Sequence, residues 1–210
     1  MGRRPELLLL LCLLAAPLSA QAPKNSSQAS SKPQPHRPAS TLDPGSVSNG
    51  IYRNATFGFS YKIPFGWVER TDQMQDGREE GKSATLLAVF ERPPEAAGET
   101  INSTVIIAAE SVASYPGLKN PADYFGPLTE VAAANGLKVE NQPYESSAGG
   151  KQLARADFSK QAGNVTMYQS SLVAVSKGYV LSFTFIGADQ DDVDELIENL
   201  SFATGKSVSR

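Results

Sequence analysis

The stretch FGFSYKIPFGW, residues 57–67, constrains the fold more than any other part of this chain. Phe57, Phe59, Tyr61 and Ile63 stand at every second position, which is the side-chain period of a β-strand, so all four belong on one buried face. Pro64 then removes a backbone donor and Gly66 frees the chain to turn, which ends the strand. The pattern predicts the opening strand of a sheet, with Trp67 anchored in the core beyond the break.

Further elements follow from the same rule. Residues 51–54, 58–63 and 67–70 read as short strands. Residues 71–82 (TDQMQDGREEGK) are charged and punctuated by glycine, with no apolar face to bury, and read as a loop. Residues 83–91 (SATLLAVFE) and 104–112 (TVIIAAESV) are apolar on both faces, as central strands are. Pro93, Pro94 and Gly98 make 92–102 a long connection between them.

Asn120-Pro121-Ala122-Asp123 is a helix start: Asn120 caps, Pro121 suits the first turn and Asp123 favours the positive end of the dipole. Tyr124, Phe125, Leu128, Val131 and Ala132 share one stripe, Gly126-Pro127 distorts the first turn, and Gly136 ends the helix. Turns at Gly149-Gly150, Gly163-Asn164 and Ser176-Lys177-Gly178 divide the rest into a meander. Its last strand, 178–186, sends Tyr179, Leu181, Phe183 and Phe185 one way and Val180, Ser182, Thr184 and Ile186 the other. Residues 189–200 form an amphipathic helix that buries Val193, Leu196, Ile197 and Leu200. Strands, a helix, four strands and a helix predict an α+β domain, a largely antiparallel sheet covered by helices.

The first twenty residues set Arg3 and Arg4 before an apolar run, 7–14, and the small-residue stretch AAPLSA. That is the layout of a secretory signal peptide, cleaved after Ala20 or Ala22. No uninterrupted apolar run reaches the roughly 20 residues of a membrane helix, so the mature chain is expected not to insert. Cys12 is the one cysteine, and it lies inside the apolar run without the small residue before it that lipid attachment wants. Export therefore leaves a fold without disulfides, held by its core.

Residues 21–49 are rich in Ser, Pro, Gln and Ala and cannot bury enough apolar surface to offset their ordering entropy. They read as a disordered linker; Lys24, Lys32 and Arg37 against Asp43 admit a second reading, adhesion to an anionic wall polymer. Residues 50–204 are then a single domain and 205–210 a flexible tail. From residue 50 onward 14 basic residues face 20 acidic ones, a net charge of −6. Such a domain is a poor partner for nucleic acid and for anionic membranes, whose attraction comes from Lys and Arg.

The only histidine, His36, lies in the linker, so the domain has neither imidazole nor thiol. Ser-His-Asp and Cys-His catalysis lack their base, and ordinary zinc or copper sites lack their ligands. Carboxylate, lysine, tyrosine or serine chemistry is left, and no spacing singles out such a constellation. The acids of 189–195 read as a helix start with Asp189 as the cap, because a calcium loop needs glycine where Asp194 stands. Glu79-Glu80 are neighbours in a loop and do not face each other across a sugar. Gly149-Gly150 lies between strands, where it cannot form a phosphate loop. The Asn-x-Ser/Thr matches at Asn25, Asn54, Asn102, Asn164 and Asn199 are read as chance. No cofactor is expected.

Four features combine: the Asn54-x-x-Phe57-Gly58-Phe59 opening, the Ile63-Pro64-x-Gly66-Trp67 break, the helix after Asn120, and the hairpins leading to the helix at Asp189. Together they span nearly all of 51–202 and resemble the fold shared by the photosystem PsbP proteins and the bacterial envelope protein DcrB. The resemblance implies an α/β/α sandwich that acts as a binding or assembly factor, and it carries over no functional residue. The long linker and the setting of Cys12 depart from the DcrB pattern.

The expected function is an exported, non-enzymatic binding or assembly module of the cell envelope, periplasmic or extracellular, whose partner is an envelope protein or a small ligand. Its contact surface is expected in the loops 71–82 and 92–102, at Trp67, Arg70, Asp76, Arg78, Glu79 and Arg92, because long loops on a compact scaffold carry function. Two rivals stand beside it. One is a carboxylate-dependent hydrolase of envelope polymers, and the other a small-ligand carrier using the sheet face near Trp67.

Overall fold

A computed structural model describes residues 42–75, 82–96 and 98–203 of the 210-residue chain. The signal-like residues 1–20, linker residues 21–41, Asp76, Arg78, Glu79 and the tail 205–210 lie outside the described residues.

The elements are β1 (Ser46–Ser48), β2 (Ile51–Asn54), β3 (Phe59–Lys62), β4 (Val68–Glu69), β5 (Ser83–Phe90), β6 (Thr104–Ser111), α1 (Phe125–Ala134), β7 (Lys138–Ala148), β8 (Lys151–Ala162), β9 (Val165–Ser176), β10 (Tyr179–Gly187), α2 (Gln190–Glu198) and β11 (Leu200–Phe202). They form two antiparallel sheets, one ordered β1-β2-β3-β11 and the other β4-β5-β6-β10-β9-β8-β7.

The alternation of 57–63 buries Phe57, Phe59 and Tyr61 as expected. The surface they meet is the second sheet. Phe59 packs edge-on against Phe183 at 5.2 Å, and Tyr61 lies 6.2 Å from Phe185, so the small sheet and α2 cover one face of the large one. β10 divides as its sequence predicts, with Leu181, Phe183 and Phe185 in this core and Val180 in a second core beneath α1. In β5 the pairing to β6 slips between Thr85 and Leu87, which lets Leu86 and Leu87 both enter the main core.

Cover by helices alone is therefore a correction to the expected sandwich. Two short α-helices are present among the described residues; α1 covers only part of one face, and the other face is covered by a sheet together with α2. The reason is β11. Residue 200 was expected in the last helix, but the chain leaves α2 at Glu198 and Leu200–Phe202 pairs with β3, placing Phe202 against Phe59 and Phe183. Residues 42–49, the end of the expected linker, take part in the fold. Ser46–Ser48 pairs with β2, Leu42 packs on the core, and Asp43 accepts from Thr56 and from the Gly45 amide.

The helix starts follow their capping chemistry. Asn120 accepts from the amides of Ala122 and Asp123, and Asp123 accepts in return from Asn120. The turn it opens, Pro121–Tyr124, is 3-10, and α-helix begins at Phe125. Pro127 has no amide to donate back to Asp123, which accounts for the tighter first turn. Asp189 caps α2 by accepting from the Asp192 amide at 2.8 Å.

Candidate functional site

β3 ends at Lys62, whose amide donates to the Asn199 carbonyl, fixing the strand end beside the end of α2. The chain then turns through Pro64, closed by the Trp67 amide on the Pro64 carbonyl at 3.3 Å. Gly66 takes a φ of 86°, a left-handed value that favours glycine. The turn leaves Phe65 fully exposed and brings Trp67 back, half-buried, against the main core. Between this turn, the ends of β5 and β6, and α2 lies a groove of about 760 Å³. Lys62, Pro64, Trp67, Glu91 and Ser103 line it together with five positions of α2 and its end, of which Asp192, Glu195 and Glu198 are acids.

The groove is acidic. Among the described residues, Glu91, Asp192, Glu195 and Glu198 line it against a single cation, Lys62. Glu91 is partly engaged, accepting weakly from the Ser103 amide and lying 3.8 Å from Arg92. Asp192 accepts from the Ala188 amide. The carboxylates of Glu195 and Glu198 have no hydrogen-bond or ion-pair partner among the described residues. Glu198 is the last residue of α2, at the end of the helix where its dipole disfavours an acid.

Of the six residues expected at a contact surface, the structure places Trp67 in the groove. Arg70 pairs with Glu95 at 3.2 Å and ties β4 to the 92–102 loop. Arg92 works inside that loop: its guanidinium donates to Thr100 and Ile101, and its backbone exchanges two hydrogen bonds with the Asn102 side chain. Asp76, Arg78 and Glu79 lie outside the described residues. Reading the sequence alone missed Glu91, Asp192, Glu195 and Glu198 as a group, because the α2 acids were assigned to the helix start. The available signal was Glu198, too far along the helix for that role.

Two further polar clusters serve the fold. Arg155 donates to Asp157 and to Asp194 of α2, both at 2.8 Å, and Ser170, Tyr144 and Asn141 also donate to Asp157. Burial alone would raise the Asp157 carboxyl, but the hydrogen bonds from Ser170, Arg155 and Tyr144 outweigh it and hold the group below the usual range. Burial, reinforced by its bond to Asp157, pushes Tyr144 up to about 12. Under α1, Tyr115 and Tyr124 both donate to the buried carboxylate of Glu110, and burial with that negative neighbour raises both phenols.

No protein-family model matches the chain, and no curated protein matches it. Solved structures do. The cyanobacterial PsbP of Synechocystis sp. PCC 6803 aligns over 75% of this chain and 96% of its own, at 16% identity and a TM-score of 0.49. LpqN of Mycobacterium tuberculosis, described as involved in cell envelope biogenesis, aligns over 76% of this chain and 85% of its own, at 15% identity and a TM-score of 0.41. The similar structures thus include a PsbP, the family that the sequence resembles.

Proposed function

We propose that this protein is an exported, non-enzymatic binding module of the cell envelope whose partner seats in the groove between the 63–67 turn and α2. The observation that carries the reading is the groove itself. Its volume lies within the roughly 300–1,000 Å³ of ligand clefts, and it gathers an aromatic wall and several carboxylates from distant parts of the chain. Export rests on the signal-like layout of residues 1–20. No helix among the described residues is long and apolar enough to cross a membrane.

The groove borders the 92–102 loop, whose stems supply Glu91 and Ser103. Arg92 and Asn102 preset that loop's shape, which lowers the entropy lost on binding. A carboxylate hydrolase needs one carboxyl sheltered from water so that it keeps its proton. Glu91, Glu195 and Glu198 are all exposed, and Asp192, the one partly sheltered carboxylate, accepts from the Ala188 amide as an anion would, which favours binding over catalysis.

A photo-crosslinking residue in place of Phe65, with a control in place of exposed Val175 on the opposite face of the large sheet, tests the reading in the native envelope. Capture at 65 that is lost on Trp67→Ala, and no matching capture at 175, is expected. Identical capture at both positions, or none at 65, would refute it.

A further inference from the structure

Resting on that reading of the groove, we infer that its occupant is an extended polypeptide segment bearing lysine or arginine at alternate positions. Among the described residues, four carboxylates against one ammonium make the lining complementary to cationic side chains. Two of the acids, Glu195 and Glu198, are exposed and have no partner among the described residues, and Glu198 opposes the dipole of its own helix. Folding gains nothing from an acid there, so its contribution belongs to binding. The aromatic wall is a separate observation. Trp67, half-buried, lines the groove and offers a π-face for a cation, and Phe65 stands fully exposed two residues before it on the same turn.

Spacing selects a chain over a compact amine. Along α2 the acids run from Asp192 to Glu198, about 9 Å apart at 1.5 Å per residue. Alternate side chains on one face of an extended segment stand about 7 Å apart, and the long stems of Lys and Arg cover the difference.

The chain contains one tryptophan, so its emission reports on the groove wall alone. The full chain is titrated with a seven-residue peptide carrying lysine at alternate positions, with the same peptide carrying norleucine, with spermidine, and with a peptide of residues 21–41. The lysine peptide is expected to shift Trp67 emission, to weaken with added salt, and to lose about tenfold or more in affinity to the double variant Glu195→Lys, Glu198→Lys. Both acids are exposed, so the variant should keep its far-ultraviolet dichroism and urea midpoint. Equal binding of the norleucine peptide, or an unchanged affinity in the double variant, overturns the inference. So does spermidine binding as tightly as the peptide, which assigns the groove to a small amine. If replacing Lys24, Lys32 and Arg37 by serine shifts the emission without any peptide, the occupant is the chain's own basic segment and the inference also fails. Crosslinking at 65 to a partner without basic segments would leave the binding module standing while removing this inference.

Discussion

The Arg155 guanidinium on β8 reaches the Asp194 carboxylate on α2 at 2.8 Å, joining side chains 39 residues apart and fastening the helix that carries the acidic wall of the groove. The same guanidinium meets Asp157 at 2.8 Å, where both side chains are nearly buried. Arg155→Met is therefore expected to cost about 3 kcal/mol, because it removes the cation paired with a buried carboxylate and leaves only the neutral donors Ser170, Tyr144 and Asn141. Asp194 is half-exposed, and Asp194→Asn should cost no more than about 1 kcal/mol. Urea denaturation of both variants measures the difference; equal costs would show that the Asp157 contact is not the stronger one.

Acid should weaken the fold through Asp157. Its carboxyl is held below the ordinary range in the folded state, so its stabilising contribution is whole above that range and is lost as pH falls through the lowered folded value. The Asp157 share of stability is thus complete above about pH 5 and declines below about pH 4. Denaturation midpoints at about pH 6 and pH 3 should diverge less in Asp157→Asn than in the parent chain.

The two sheets are joined by aromatic packing, and one ring is central to it. Phe59 lies within 6.0 Å, centroid to centroid, of Tyr52, Phe183 and Phe202. Phe59→Ala is expected to destabilise by about 3–5 kcal/mol, as large aromatic deletions in cores do. Phe65→Ala removes a fully exposed ring and should stay within about 0.5 kcal/mol of the parent. Paired thermal melts test both, and a large loss at 65 would contradict its exposure.

Gly149 couples the β7–β8 hairpin to β11. Its φ is 57°, and an added Cβ would meet the Leu200 carbonyl oxygen at 2.7 Å, while its own carbonyl accepts from the Phe202 amide. Gly149→Ala should destabilise by more than about 1 kcal/mol, whereas Gly150→Ala, with open space around it, costs only the left-handed backbone. The gap between their urea midpoints reads the contact with β11.

The elements were legible because their causes are local. The two faces of β10, the caps at Asn120 and Asp189, and the break at Pro64 and Gly66 each depend on neighbours in the chain, and each stands in the structure where the residues place it. Where two local rules competed, the longer-range one won. Leu200 satisfied the helical stripe of α2, yet it joins β3, because pairing there brings Phe202 into the aromatic core.

The sequence by itself determined an α+β chain with a strand over 58–63, a turn beyond Pro64, a two-faced core strand at 178–186 and an acid-rich last helix. Only the tertiary structure decided that β1, β2, β3 and β11 form a separate sheet, and that its end meets α2 beside Glu91 and Ser103. Periodicity records which face of a strand is apolar but not which surface will cover it. The groove, whose lining runs from Lys62 to Asn199, exists only once that choice of surface is made.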